Sequence, residues 1–317
     1  MKIAFFSVLK EYQEFFNNSF PKDEVLCFEE KLTKEKLDQI KDFEVLSVFV
    51  DSIVDKNIID NLSNLKFINT RSTGFDHVDY KYAEGKGIAF SNVPVYGSST
   101  VAEFTFALIL NLSRKINEAG KQLKEGGIFE ALKNTQGFDL DGKVVGVIGT
   151  GKIGKNVIRI ARAFNMKVLA YDLYPDLAFA KENDFEYKDL NEVFSFSDII
   201  TLHAPSTKEN YHLINKESIS KMKKGVYVIN TARGELINTE DLILGVKEGI
   251  VGGVGLDVLE GERDFKKGDK IAFFEMPNVI VTPHIAFYSK EAVDRIAKTS
   301  IDNIKGFMSG NLQNLVK

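Results

Sequence analysis

A strand that runs into Gly149-Thr150-Gly151-Lys152-Ile153-Gly154, and a helix that leaves it, constrain this chain of 317 residues more than any other feature. Lys143–Ile148 reads as a buried strand, and Ile153, Val157, Ile160, Ala161 and Phe164 recur at helical spacing after the glycines. Lys167–Tyr171 reads as the next strand, closed by Asp172, 18 residues beyond Gly154. This order and length predict a dinucleotide-binding βαβ unit. Gly149 permits a turn that a Cβ would obstruct, Gly151 lets a pyrophosphate approach bare backbone, and Gly154 lets the helix pack closely. Unpaired N–H groups and the positive end of the helix dipole then face the phosphates. Asp172 is placed to accept hydrogen bonds from a ribose diol and to repel a 2′-phosphate, which favours NAD over NADP. The glycine pattern alone would be weak, because flexible loops reproduce it. The competing reading is a doubly wound domain whose crevice holds nothing.

The length suits two domains, each with its own core, and the composition is that of a soluble globular protein. The net charge of −4 gives no reason to invoke nucleic acid or an anionic membrane. Cys27 is the one cysteine, so an intramolecular disulfide is excluded and a reducing compartment is expected. The chain opens on strand-like Ile3–Phe6, and no stretch reaches about 18 apolar residues, so a cytoplasmic protein is the expectation.

Strand-like and helix-like runs alternate throughout. Before the glycine motif the strands are Ile3–Phe6, Val45–Val50, Lys66–Asn69 and Ile88–Ser91; after it come Lys167–Tyr171, Ile199–Leu202, Val226–Asn230, Gly253–Val258 and Val279–Val281. Such alternation predicts parallel sheets covered by helices, and two groups of strands predict two sheets. Between them a long helical stretch starts near Thr100, where Thr100-Val101-Ala102-Glu103 reads as a capping box before Phe104–Leu112. That makes Glu103 a cap rather than a catalytic acid. Ser289 to Met308 has helical periodicity with no evident packing partner.

Ligands of open α/β sheets sit at the carboxyl ends of strands, so polar residues there are the candidates. Asn230-Thr231-Ala232-Arg233-Gly234, Leu256-Asp257-Val258, Glu260-Gly261-Glu262 and Thr282-Pro283-His284 occupy such places. An arginine fork matches a carboxylate, and a histidine beside a carboxylate passes a proton near neutral pH. Equally, Arg233 fits a surface ion pair, and Glu262 fits a solvated acidic turn with Glu260 and Arg263. His203 and His284 both follow strands, so spacing does not choose between them. Cys and His at ligand spacing are lacking, which speaks against a metal.

The order of the glycine motif, Leu202-His203-Ala204-Pro205, Asn230–Gly234, Gly255–Val258, Glu262 and Thr282-Pro283-His284 resembles the D-isomer-specific 2-hydroxyacid dehydrogenase family, over essentially the whole chain. Arg71-Ser72-Thr73-Gly74-Phe75-Asp76, Asn92–Tyr96 and His284–Tyr288 resemble its D-lactate dehydrogenase branch more closely. The resemblance implies that His284 protonates the 2-keto oxygen as hydride arrives and takes the proton back in reverse. Glu262 would pair with His284 and keep it protonated to higher pH, and Arg233 would clamp the substrate carboxylate and polarise the carbonyl. Asp257 would sit on the nicotinamide side of the cofactor. Lys152, Ile153, Asp172, Ala204, Pro205, Asn210, Thr231 and Ala232 would line the NAD groove with the three glycines. The backbone of Ser72, Thr73 and Gly74 and the Tyr96 hydroxyl would hold the substrate carboxylate, with Phe287 nearby. His203 would line the groove, and His77 and His212 would be peripheral.

The family also implies two doubly wound domains. One is a discontinuous, flavodoxin-like substrate domain, residues 1–98 and 289–317; the other is a Rossmann NAD domain, residues 99–288. A cleft between them would close on substrate, and the helical region from Thr100 would form a homodimer. Phe49, Tyr96, Phe287 and Tyr288 suggest an apolar pocket, and the lack of clustered Lys or Arg beside Ser72–Gly74 disfavours a phosphorylated acid. Pyruvate heads the candidates, with branched and aromatic 2-ketoacids, hydroxypyruvate and glyoxylate also open, since one methylene discriminates by only about 1–3 kcal/mol. Arg263–Phe274 departs in length from longer members of the branch. Two other readings stand beside the dehydrogenase: an NAD sensor that recruits proteins, and an S-adenosylmethionine-dependent transferase.

Overall fold

The computed structural model describes residues 1–127, 129–130, 133–265 and 272–316. The chain divides into two compact units, Met1–Tyr96 with Ser289–Lys317, and Gly97–Tyr288.

The first unit holds β1 (Lys2–Phe5), β2 (Glu24–Cys27), β3 (Val45–Val48), β4 (Phe67–Thr70) and β5 (Ala89–Ser91), all parallel in the order β2-β1-β3-β4-β5. This is the flavodoxin-like order. Because both faces are covered, the central strands β1, β3 and β4 are almost wholly buried, and their alternate apolar residues feed opposite cores. Ala4, Leu46 and Ile68 pack with Ile40, Ile58 and Ile59 on one side. On the other, Ile3, Phe5, Val45 and Phe67 meet Phe16, Phe20 and Ala297, Ile301 and Ile304 of the helix Lys290–Met308. That helix, capped by the Ser289 side chain on the Ala292 amide, is thereby placed against the sheet of the first unit.

The second unit holds β6 (Val144–Ile148), β7 (Lys167–Tyr171), β8 (Glu186–Tyr187), β9 (Ile199–Leu202), β10 (Val226–Asn230), β11 (Val251–Leu256) and β12 (Val279–Val281). Their order is β12-β11-β10-β9-β6-β7-β8, all parallel. It is the doubly wound nucleotide-binding order with a seventh strand, and the direction of winding reverses between β6 and β9. The helix Lys152–Ala163 buries Gly154, Val157, Ile158 and Ala161, one face at three- and four-residue spacing. Phe164 lies just past the helix end and stays 39% exposed, stacked on Phe106.

Several expectations are corrected. The edge strands β2 and β8 carried no clear pattern: β2 alternates exposed and half-buried residues, and β8 has two residues. β11 starts two residues early and ends at Leu256, because Asp257 already turns out of the sheet; β3 stops at Val48. The capping box at Thr100–Glu103 does not form. The helix starts at Ser98 after Gly97, without a side-chain cap, so both residues lie inside it. It ends at Arg114, where Lys115 is left-handed at φ +56° and a second helix, Ile116–Gly126, begins. Lys115 is buried with its ammonium on the Asn278 side chain. His77, which the resemblance leaves peripheral to the site, is buried, its Nε2 2.9 Å from Thr70 Oγ1. Of the Arg263–Phe274 segment, 266–271 lie outside the described residues. Among the described residues no helix is long and apolar enough to cross a membrane.

Candidate active site

The glycine turn joins β6 to the helix Lys152–Ala163 at the point where the winding reverses. Gly149 has φ +94°, and a Cβ there would come within 2.6 Å of the Ala204 nitrogen; one on Gly154 would meet the Gly149 carbonyl oxygen at 2.0 Å. A Cβ on Gly151, the helix N-cap, would meet nothing within 4 Å. Two glycines are thus required by packing, while the third leaves bare, open backbone at a helix N-terminus, the environment a pyrophosphate needs. Lys152 is exposed and Ile153 half-buried at the start of that helix.

Asp172, just past β7, is held against the same turn. Its Oδ2 accepts from the Thr150 amide at 2.6 Å and hydroxyl at 2.9 Å, and its Oδ1 from the Tyr174 amide at 2.9 Å. A fixed anion at this strand end suits a ribose diol.

After β9, Ala204 is half-buried and Pro205 exposed. Asn210 closes this loop: its Oδ1 accepts from the Thr207 amide at 2.7 Å and its Nδ2 donates to the Pro205 carbonyl at 2.8 Å. Both ends of the amide are engaged, so Asn210 shapes the loop. His203 Nε2 lies 2.9 Å from Thr201 Oγ1, and its Nδ1 is buried without a partner. Burial pushes this imidazole down to about 3. His203 is therefore neutral and unfit as an acid, a distinction strand spacing did not provide.

At the end of β10, buried Asn230 turns the chain: the Ala232 amide donates to its Oδ1 at 2.9 Å, and its Nδ2 donates to the Arg233 carbonyl at 2.7 Å. Sequence reasoning gave Asn230 no role, although a strand-ending Asn before Thr-Ala-Arg is such a turn signal. Thr231 is buried with its hydroxyl 3.0 Å from that of Thr105. Arg233 is half-buried and donates from Nη1 to the Ala232 carbonyl at 2.7 Å.

Asp257 follows β11 and is 1% exposed. Its Oδ1 accepts from the Thr282 hydroxyl at 2.6 Å and the Ile285 amide at 2.9 Å, and its Oδ2 from the Ala286 amide at 2.7 Å. Burial pushes its carboxyl up, against the pull of these donors. Both oxygens serve the loop after β12, so in this structure Asp257 fixes the segment carrying His284.

His284 and Glu262 form the centre of the constellation. His284 Nδ1 lies 2.5 Å from Glu262 Oε1, and the Leu259 amide donates to Glu262 Oε2 at 3.0 Å. Glu262 is thus a partner of His284 rather than a member of a solvated turn. Burial pushes the Glu262 carboxyl up, but the hydrogen bond and charge of His284, the Leu259 amide and the charge of Arg233 outweigh it and hold the group low. The histidine sits at φ +54°, outside the usual region for a side chain of its size.

In the first unit, buried Ser72 donates to the Gly74 carbonyl at 2.6 Å, and Thr73 donates to that of Val93 at 2.9 Å. This compact turn is underlain by Arg71, fully buried, which donates to the Phe6, Ser7 and Ser47 carbonyls. Burial pushes that guanidinium down to about 10. Tyr96 is half-buried, its carbonyl accepting from Arg295. Phe287, in the second unit, is half-buried edge-on to Tyr288 at 5.7 Å. Among the described residues no three His, Cys, Asp or Glu are grouped to hold a metal ion.

The model of the D-isomer specific 2-hydroxyacid dehydrogenase, NAD binding domain, matches residues 106–286. The D-lactate dehydrogenase of Escherichia coli is 36% identical over 98% of both chains, and an aromatic 2-oxoacid reductase of Clostridium sporogenes is 39% identical over 86% of both. The crystal structure of Aquifex aeolicus D-lactate dehydrogenase complexed with NAD and lactic acid superposes with a TM-score of 0.90 at 35% identity, covering 99% of this chain and 98% of the other. With the glycine turn, the strand-end arginine and the histidine–glutamate pair in family order, the chain belongs to the D-isomer-specific 2-hydroxyacid dehydrogenases, NAD-dependent enzymes acting on the CH–OH group of D-2-hydroxy acids.

Proposed function

We propose that this dehydrogenase reduces pyruvate to D-lactate, with His284 as the acid and base, Glu262 as its partner and Arg233 as the carboxylate clamp. The observation that carries the reading is the His284–Glu262 pair at strand ends, with the charge of Arg233 felt at Glu262. NADH, when bound, supplies the hydride. Gly149, Gly151, Lys152, Ile153 and Gly154 would hold its pyrophosphate, Asp172 its ribose, and Ala204, Pro205, Asn210, Thr231 and Ala232 the rest of the groove. Asp257 would reach the nicotinamide side only through the loop it fixes.

Glu262 occupies Nδ1 of His284, which leaves Nε2 to give its proton to the keto oxygen as C2 becomes tetrahedral. The resulting neutral ring regains a proton from solvent. Arg233 draws charge toward the carbonyl and grips the carboxylate in two-pronged fashion, favouring the developing alkoxide over the ketone. Ser72, Thr73, Gly74 and Tyr96 would take the remaining carboxylate contacts and Phe287 the methyl side. On this reading Met1–Tyr96 with Ser289–Lys317 is the substrate domain.

The Clostridium sporogenes relative supports a second reading, an aromatic 2-oxoacid, for which Phe49, Tyr96, Phe287 and Tyr288 would be the candidate aromatic side chains. The test is NADH oxidation with pyruvate, 2-ketoisocaproate, phenylpyruvate, hydroxypyruvate and glyoxylate, followed by chiral analysis of each product. The highest kcat/KM on pyruvate with a D-product is expected; phenylpyruvate in first place would replace that substrate, and no turnover despite NADH binding would favour a sensor.

We also propose a homodimer. The helix Ile116–Gly126 buries no residue and leaves Ile116 58% and Leu123 43% exposed, an apolar stripe that a second copy would cover. Sedimentation velocity reading twice the chain mass is the expected result. A cytoplasmic location fits the lone Cys27, whose thiol burial pushes up to about 11 and so away from ready oxidation.

A further inference from the structure

The molecule contains a second histidine–glutamate pair, which the reaction above does not use. His212 Nε2 lies 2.8 Å from Glu260 Oε1, and the Tyr211 hydroxyl donates to the same oxygen at 2.7 Å. On the other edge of the ring, Asn238 Nδ2 lies 3.3 Å from Nδ1. An amide donor at Nδ1 assigns the proton to Nε2, so the neutral ring still holds the carboxylate. The backbone of His212 is fixed too. It is left-handed at φ +52°, its amide donates to the Glu235 carbonyl at 2.9 Å, and its carbonyl accepts from Asn215 Nδ2 at 2.8 Å.

We propose that His212 is a positioning residue for the Glu262–His284 pair, acting through Glu260; the proposal rests on the acid–base role given above to that pair. Glu260 stands two residues before Glu262 on the turn that follows β11. The Glu262 amide donates to the Leu259 carbonyl at 3.2 Å, and the Leu259 amide returns a bond to Glu262 Oε2 at 3.0 Å. The turn is therefore a small closed ring, and its tilt decides where Glu262 Oε1 points. Gly234, beside Arg233, packs its backbone so closely on this ring that a Cβ would come within 2.1 Å of the Leu259 carbonyl carbon. One side of the ring thus rests on the β10 loop, and His212 draws Glu260 toward the β9 loop. The duller alternative is a half-solvated ion pair, a kind worth little to stability. Against it stand the bonds at both ring nitrogens and a carboxyl that burial pushes up yet Tyr211 and His212 hold low. Glu235 is the other carboxylate felt at Tyr211.

The test compares His212→Phe, which keeps the ring stacked on Tyr211 but cannot donate, with His212→Gln, whose amide can. The full chain is assayed with NADH and the fastest 2-ketoacid of the panel. For His212→Phe the expected result is NADH affinity within twofold of the parent, kcat lower by about tenfold, as for a misplaced group remote from the chemistry, and an alkaline limb of kcat/KM moved to lower pH. His212→Gln restores both. Should the Phe variant not fold, Glu260→Gln weakens the same link and carries the same expectation. Carbon-13 histidine NMR, with the His284 ring assigned by its loss in His284→Ala, follows the titration of His284 without turnover. It therefore tests the proposal even if the substrate reading fails. An unchanged kcat and unchanged His284 titration in His212→Phe overturn the proposal, as does a loss that His212→Gln shares, which marks a general stability role.

Discussion

The backbone amide of His284 donates to the Asp257 carbonyl at 2.8 Å, and the carboxylate of the same aspartate takes the next two amides, those of Ile285 and Ala286. A buried carboxylate with three donors holds the histidine in its left-handed pose, where its ring meets Glu262. The strain at φ +54° is offset by that anchorage. Asp257→Ala orphans all three donors, and stability should fall by about 3 kcal/mol, the scale of lost bonds to a charged acceptor. Turnover should fall by about 100-fold as His284 loses its geometry. Urea midpoints and kcat check both, and a variant with normal kcat would show that Asp257 does not hold the histidine.

Glu262→Gln keeps the shape of the partner but removes its charge. Protonated His284 then has only a neutral acceptor, so ketoacid reduction should decline at lower pH than in the parent. A pH profile of kcat/KM reads this directly. The stability effect has the opposite window. The folded Glu262 carboxyl lies low, so its contribution is complete above the unfolded value of about 4.3 and is lost as pH falls through the folded one. Acid unfolding of the variant should therefore be less steep.

Asp172→Ala removes the anion that faces the ribose and also frees Thr150. NADH should bind at least tenfold more weakly, and the preference for NADH over NADPH should shrink, since the repulsion of a 2′-phosphate is gone. Fluorescence titration with both dinucleotides decides it. Equal use of NADPH by the parent protein would contradict the role given to Asp172.

His203 predicts a pH dependence of stability unrelated to turnover. Its buried ring charges only near pH 3, whereas in the unfolded chain it charges near 6.5. Between those values the unfolded state binds the extra proton, so stability falls as pH drops, by about 1.4 kcal/mol per unit for this one group. Between pH 6.5 and 5.5 the parent should lose about 1 kcal/mol more than His203→Gln, measured by urea unfolding.

What the sequence determined by itself was local. The run from Lys143 through Gly154 to Asp172 specifies strand, turn, helix and strand because each of those preferences is set by neighbours within a few residues, and the corresponding elements stand where the pattern put them. Both parallel sheets were legible for the same reason, since strands buried on two faces are written as apolar runs. The short edges β2 and β8 were not, being partly solvated and thus polar like loops. Strand spacing did not choose between His203 and His284; the motif resemblance did, and the physical reason for that choice lies in the tertiary structure. Both follow a strand, but β9 is an inner strand of its sheet, and there the imidazole is desolvated and silent. At the end of β12 the ring instead comes within 2.5 Å of a carboxylate 22 residues earlier in the chain. The same holds for Asp257, His212 and Glu260, whose roles lie in bonds between loops that converge only when seven strands are laid side by side. Chain spacing carries no information about such contacts, because they depend on strand order, and strand order is fixed by packing.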